Sequence, residues 1–371
     1  MAPAKIQVVR KQLGYKAEAV IDMLLARAAQ LGAPVMSKGS LKTRLSVWEN
    51  GHEQVSAPYQ RLFRDIYGRT NEELGFPPEQ IDDEAAELRS RLAIARNVDP
   101  QTVDLFRAQV DLARHGDRRF GGVSLLDQLR SQIAQVEGLL EYSTVRGHRE
   151  SLAGVLTEAS TLAGWEALDR NAIAQSWSHY ERAKAAAREA GSAELLAHAT
   201  AEQAFVLIDL GETAQAVAQL TQARALAENK ASPLLRAWLA AAHGEGLAVA
   251  GRGADALKAF DAADALLPQD PADPALPFLF LGDSHLDRWR GNALVRLGEQ
   301  DAIDRLTDAL DRLPAEFIRA KVGMMVDLAF AYTTAGDRRA AQYYARQRRQ
   351  LGLQIKSDRQ LRRLRGLTLP D

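Results

Sequence analysis

The chain has 371 residues, enough for two or three domains with sizeable cores. It contains no cysteine, which excludes disulfides, thiolate metal sites and cysteine nucleophiles. It shows neither a basic-then-apolar leader nor an apolar run of membrane-spanning length, so the expected compartment is the cytoplasm, with no membrane partner.

A formal net charge of −1 conceals a strong asymmetry. Residues 1–78 carry 11 Lys/Arg and 7 Asp/Glu, and residues 338–371 carry 10 and 2. With 47 and 48 in the whole chain, the middle is left with an excess of 13 carboxylates. Basic ends around an acidic centre fit end-on contact with nucleic acid better than a uniformly basic protein would. Solvated arginine-rich helix ends are the plainer reading. Alanine, leucine and arginine dominate and aromatics are few, which predicts an all-α protein.

Residues 6–14 read as a first helix stopped by Gly14. A second covers 16–31, with Val20, Met23, Leu24, Ala28 and Leu31 at helical spacing and Gly32 just past its end. Ser37 or Ser40 caps a third helix running through Trp48, and Gly51 sits where a left-handed stop is needed. A fourth spans 57–67, closed by Gly68. Thr70-Asn71-Glu72-Glu73 is a capping box that opens a short fifth.

The stretch GSLKTRLSVWENGHEQVSAPYQRLFRDIYGRTNEELGF resembles the phage-repressor-like helix-turn-helix (XRE) family, in the form found in actinobacterial regulators. That form has a lengthened turn between helices two and three, as residues 26–40 would provide. The resemblance implies that the third helix enters the major groove of double-stranded DNA, with Lys42 and Thr43 at base edges. It places Lys38, Ser40 and Arg44 near phosphates, with Ser46 on the same helix. Arg10 and Glu49 match an ion pair between helices one and three. Two positions depart from the pattern. Val47 replaces a basic residue, and Lys16-Ala17 stands where Ser-Gln often begins helix two. Lys16 is the substitute phosphate contact.

Residues 79–147 read as a helical connector: amphipathic helices over 83–96 and 100–115, a turn over 115–122, and a longer helix over 123–145. Asp99 caps the second of these, with Pro100 at its first position. Leu125, Leu129, Ile133, Val136 and Leu140 form one stripe, either a dimer seam or the face packed on the next domain.

From 148 onward a unit recurs. Its turn residues are Asn171, Gly211, Gly251, Gly298 and Gly336, at spacings of 40, 40, 47 and 38. Five, nine and twelve positions after a turn stand small, large and small residues: Ser176, Tyr180 and Ala183; Ala216, Leu220 and Ala223; Ala256, Phe260 and Ala263. The fourth unit is shifted by one (Ala302, Leu306, Ala309), and the fifth keeps only an outline in Ala340, Ala341, Tyr344 and Ala345. This is the tetratricopeptide signature with stretched loops. Leu162-Ala163-Gly164-Trp165, followed by Asp169, resembles the first repeat behind the head in the same actinobacterial proteins.

Solenoid inner faces bind peptides, small molecules or partner helices. Candidate ligand-binding residues are Trp177, Tyr180, Gln203, Trp238, His243, Asp283, Asp287, Trp289 and Asn292. The acidic middle favours a cationic ligand. The basic tail reads as a solvated terminal helix capping the solenoid. No phosphate-binding glycine loop or dinucleotide fingerprint occurs, and the seven histidines lack metal-ligand spacing. Asp283-Ser284-His285 has the residue types of a hydrolase triad, but neighbours in sequence do not make one. No enzyme activity, metal or cofactor is expected.

The expected layout is therefore a helix-turn-helix head (1–78), a connector (79–147) and a tetratricopeptide solenoid (148–371). The chain as a whole resembles an actinobacterial XRE regulator with C-terminal repeats. That implies a homodimeric DNA-binding transcriptional regulator controlled by a peptide, small molecule or protein partner. The alternative is a ligand-binding scaffold with a degenerate head.

Overall fold

The computed structural model describes residues 4–77, 84–120, 125–271, 273, 276–282, 284–355 and 357–367. Asp283 and residues 121–124 lie outside them. The described residues form nineteen α-helices and no strands. The chain divides into two compact units, 1–86 and 87–371.

The first unit holds α1 (Lys5–Gln12), α2 (Ala17–Leu31), α3 (Lys38–Glu49), α4 (Ala57–Tyr67) and α5 (Asn71–Leu74). Its helix ends follow local chemistry. Gly32 and Gly68 end α2 and α4 in the left-handed conformation, which costs glycine nothing. Ser37, not Ser40, caps α3, and Thr70 and Glu73 close the capping box of α5. The segment between α2 and α3 is only residues 32–37, shorter than the reading from sequence. Val20, Leu24, Leu41, Leu45, Trp48, Phe63 and Leu74 fill the core, with the Trp48 ring 5.0 Å from Tyr59 and 6.0 Å from Phe63. Arg10 donates to both oxygens of Glu49, at 2.5 and 2.8 Å, and to the Tyr15 carbonyl at 2.9 Å. This bidentate pair ties α1 to the end of α3.

Beyond it come α6 (Glu84–Arg96), α7 (Pro100–Phe120), α8 (Leu125–Tyr142) and α9 (Arg146–Asp169). The expected turn at 115–122 is not formed through Phe120, because α7 continues to that residue. Tertiary pairing outweighs the glycine signal here. Arg114 meets Glu158 at 2.8 Å and Asp117 meets Arg319, so the helix is held by its own charges past Gly116. The stripe Leu129, Ile133, Val136 and Leu140 is buried against Val103, Phe106, Leu152 and Leu156. It belongs to the protomer's own core.

The array continues with α10 (Ile173–Glu189), α11 (Ala193–Leu210), α12 (Thr213–Ala227), α13 (Pro233–Val249), α14 (Gly253–Leu266), α15 (Ser284–Leu297), α16 (Asp301–Arg312), α17 (Ile318–Thr334), α18 (Arg338–Ile355) and α19 (Asp358–Arg365). Neighbouring helices pack pairwise, as in a tetratricopeptide-type solenoid. All five turn residues adopt positive φ, from 62° at Asn171 to 81° at Gly211. The small–large–small positions are buried throughout the first four units.

The pattern has a physical cause. A Cβ on Gly164 would lie 2.9 Å from the Tyr180 ring, one on Gly244 2.8 Å from Phe260, and one on Gly291 2.6 Å from Leu306. Each large residue of an outer helix sits on a bare stretch of the inner helix before it. Gly244→Ala should therefore lose about 1–3 kcal/mol by overpacking, despite alanine's better helix propensity. Urea unfolding checks this; an unchanged or higher midpoint would refute the close-approach account.

Candidate functional site

The head offers one polar face. Leu41, Leu45 and Trp48 point α3 into the core, which leaves Lys38, Lys42 and Ser46, one turn apart, exposed together with Ser40 and Thr43. Lys16, at the start of α2, is exposed too. Lys42 and Thr43 make no side-chain hydrogen bond or ion pair among the described residues, whereas Lys38 pairs with Asp22 at 2.6 Å and half-buried Arg44 pairs with Glu53. Ser40 shares a 3.0 Å hydrogen bond with Ser37, and the Ser46 carbonyl accepts from Asn50 at 2.8 Å. Two of the phosphate candidates are thus already ion-paired.

The second unit contains a cavity of about 290 Å³ along its inner face. It is lined by α7, α9, α11, α13, α15, α17 and α19, together with Phe278 and Phe280 from the segment before α15. One end is a carboxylate cage. Arg319 lies among Asp117, Glu166 (3.3 Å) and Asp169 (2.9 Å). Burial opposes its charge, but Asp117, Asp169 and Glu166 more than offset that and raise its pKa. Glu166 is fully buried, and burial and the neighbouring Asp117 push its pKa well up against the pull of Arg319. One guanidinium serves three carboxylates, and the raised pKa of Glu166 eases the excess of negative charge.

The basic C-terminal helix is placed differently from the sequence expectation of a solvated cap. Arg359 of α19 grips Asp209 with two bonds of 2.7 and 2.8 Å, Arg363 reaches Asp327 at 2.6 Å, and the Ser357 hydroxyl donates to Asp169 at 2.6 Å. Only Arg362 and Arg365 remain turned to water. Trp165 has the guanidinium of Arg319 at 5.8 Å and that of Arg359 at 5.5 Å from its ring centre.

The other end is aromatic. His198 stacks 4.2 Å from Phe278 and 4.9 Å from Trp238, which meets Trp289 edge-on at 5.5 Å. His285 lies 4.6 Å from Phe317, and Arg118 covers Phe280 at 3.4 Å. Burial, then Arg114, drives the His198 pKa down to about 3; burial, then Arg288 and Arg118, does the same to His285. Both are neutral rings at any ordinary pH. His285 packs against Phe280 and Phe317, and Ser284 is buried beside it in sequence. Glu202, accepting from the Tyr180 hydroxyl at 3.3 Å, is pushed up to about 7 by burial.

Of the ligand candidates named from sequence, the structure brings Trp238, Trp289 and Asn292 to the cavity. Four of the others are engaged elsewhere. Tyr180 is a core residue under Gly164. Gln203 is buried among Lys184, Glu181 and Gln219. His243 bridges Thr221 and Arg224. Asp287 holds Arg305 and Arg312 at 2.7 and 2.6 Å. Trp177 lies exposed on α10, and Asp283 is outside the described residues. Sequence reasoning missed Phe278, Phe280, Arg118, Arg288, Phe317 and Arg319. A signal existed for the two phenylalanines: the 47-residue spacing from Gly251 to Gly298 contains the extra loop that carries them.

No protein-family model matches the sequence, and no curated protein matches it. Among solved structures, the chain is similar to a Rap protein crystallised in complex with competence and sporulation factor. The identity is 13% and the TM-score 0.46, covering 95% of this chain and 99% of that one.

Proposed function

We propose that the chain is a sequence-specific DNA-binding transcriptional regulator. Its repeat unit binds a peptide or small-molecule effector in the internal cavity, and occupancy shifts the population of a homodimer able to hold an operator. The observation that carries the reading is the exposed face of α3. It presents Lys42, Thr43 and Ser46 on a helix whose opposite side is fixed by Trp48 and the Arg10–Glu49 pair. A rigid helix with short donors along one face suits major-groove readout. The aromatic cavity supplies the sensor.

A second reading is motivated by the Lys38–Asp22 and Arg44–Glu53 pairs and by Val47: a ligand-binding scaffold whose head has lost DNA binding.

Selection from a random duplex library at physiological salt, beside a Lys42→Ala/Thr43→Ala double variant, separates the two. The regulator enriches a partly palindromic site with half-sites about one helical turn apart. The double variant loses that selectivity, at about 1–3 kcal/mol per base contact, and binding weakens steeply with added salt. Absence of enrichment at low and physiological salt, with the protein folded, establishes the scaffold instead.

A further inference from the structure

Charges along the cavity can be matched one to another. Its described lining holds seven arginines and six carboxylates. Arg114 is taken by Glu158, Arg319 by Asp117 and Asp169, and Arg363 by Asp327, while Arg359 is taken by Asp209 behind the wall. Arg118, Arg288 and Arg296 have no carboxylate at ion-pair distance among the described residues. Arg118 lies on the Phe280 ring and bonds weakly to the Pro277 carbonyl at 3.5 Å. Arg296 bonds to Asn292 on its own helix at 3.1 Å. Arg288 has a buried Nε with no hydrogen-bond partner and only a ring contact, 5.9 Å from Trp289. Burial lowers the pKa of all three, with Arg118 brought to about 10.

A guanidinium partly withdrawn from water without an anion at bonding distance is costly and is retained where something else supplies the charge. The two remaining carboxylates do not supply it. Glu202 is engaged by the Tyr180 hydroxyl and half-protonated near neutral pH. Glu245 acts on Arg288, Arg296 and Arg359 from beyond bonding distance. Asp327, which also acts on Arg288 and Arg296, is bonded to Arg363. Of the carboxylates that act on Arg118, Asp117 is bonded to Arg319 and Asp111 to Arg114, with Glu316 the third. Arg118 lies 3.4 Å from the Phe280 ring and 5.7 Å from Phe317, the two rings that pack on His285, and Arg288 follows His285 by one turn on α15, so both arginines border the aromatic end of the cavity. Trp238, Trp289 and Phe317 line the same cavity and supply apolar surface for the body of a ligand.

Resting on the reading of this cavity as the effector site, we infer that the effector is an anion: a small ligand with one acidic group on an aromatic or branched apolar body, its acid held between Arg118 and Arg288. A free organic acid and the C-terminal carboxylate of a short peptide share that chemistry. The acidic middle of the chain does not argue for a cation here, because four of the six lining carboxylates already pair with arginines.

The test uses the full chain and two fluorescent probes of nearly equal shape, anionic anilinonaphthalenesulfonate and uncharged N-phenylnaphthylamine. The anionic probe should bind about 10- to 100-fold more tightly, the range of one or two charge-assisted hydrogen bonds. Arg288→Met should abolish that preference by weakening the anionic probe and not the neutral one, and should raise the urea midpoint, since a guanidinium without an ion-pair partner is removed. Arg288→Lys should restore part of the preference. Arg118→Gln, at a second position, should reduce it independently. Equal affinities, or a preference that survives Arg288→Met and Arg118→Gln, overturns the anion assignment while leaving the cavity an effector site. Failure of both probes to bind overturns the effector site itself. Displacement of the bound anionic probe by N-acetylphenylalanine alone assigns the acid to a peptide terminus; displacement by naphthoate alone assigns it to a free organic acid.

Discussion

Arg319→Ala is expected to lower the stability of the repeat unit by about 3–5 kcal/mol, the range for breaking a buried ion pair from one side. Asp117, Glu166 and Asp169 would be left facing one another, each nearly without access to water. The loss should depend on pH in a definite direction. Glu166 already has a raised pKa in the folded protein, and in the variant its two neighbours would join it. A carboxyl whose folded pKa lies above its unfolded value favours the folded state as pH falls through that raised value. The deficit of the variant relative to the parent should therefore be largest near pH 8 and shrink toward pH 5. Urea midpoints of both proteins across that range measure it. A deficit that is constant or grows on acidification would show that the three carboxylates are not mutually constrained.

Ending the chain at Ile355 is expected to cost about 2–4 kcal/mol. It strips Ser357, Arg359 and Arg363 from Asp169, Asp209 and Asp327. Each charge-assisted contact contributes about 1.5–3 kcal/mol, and the conformational entropy recovered by releasing α19 offsets part of the total. The same truncation bares Trp165, which loses the Arg359 guanidinium over its ring. Acrylamide should then quench tryptophan emission more strongly than in the full chain. A double-mutant cycle with Arg359→Met and Asp209→Asn isolates one contact without removing the helix and should show coupling of about 1.5–3 kcal/mol. Unchanged quenching together with negligible coupling would mean that α19 is not docked in solution.

The repeats were legible because their grammar is local. A positive-φ turn residue and the small–large–small series lie within a dozen positions of each other, and glycine beneath Tyr180 or Phe260 makes steric sense of both. The helix caps of the head were legible for the same reason, since Thr70 and Glu73 bond across one turn. What escaped was pairing between distant charges. Arg319 finds Asp117 across 202 positions, and Arg359 finds Asp209 across 150. Neither has a periodicity to betray it. Net charge is blind to this: it counts the carboxylates of the middle as available, whereas many of the described ones pair with arginines. The continuation of α7 through Gly116 belongs to the same class, because the charges that hold Arg114 and Asp117 lie on α9 and at the start of α17. Trp238, Trp289 and Asn292 were found because aromatic and amide residues on inner helices have few other uses. Arg118 and Arg288 carry no comparable mark in the sequence.

An open array of repeats touches only its neighbours, so it frays from its ends and melts in segments. Here the Ser357–Asp169 bond joins residues 188 positions apart and fastens the last helix to the first full repeat. Neither end can peel away without breaking that fastening. The repeat unit should consequently unfold in one cooperative transition, with a rate set by release of the seam rather than by the weakest repeat.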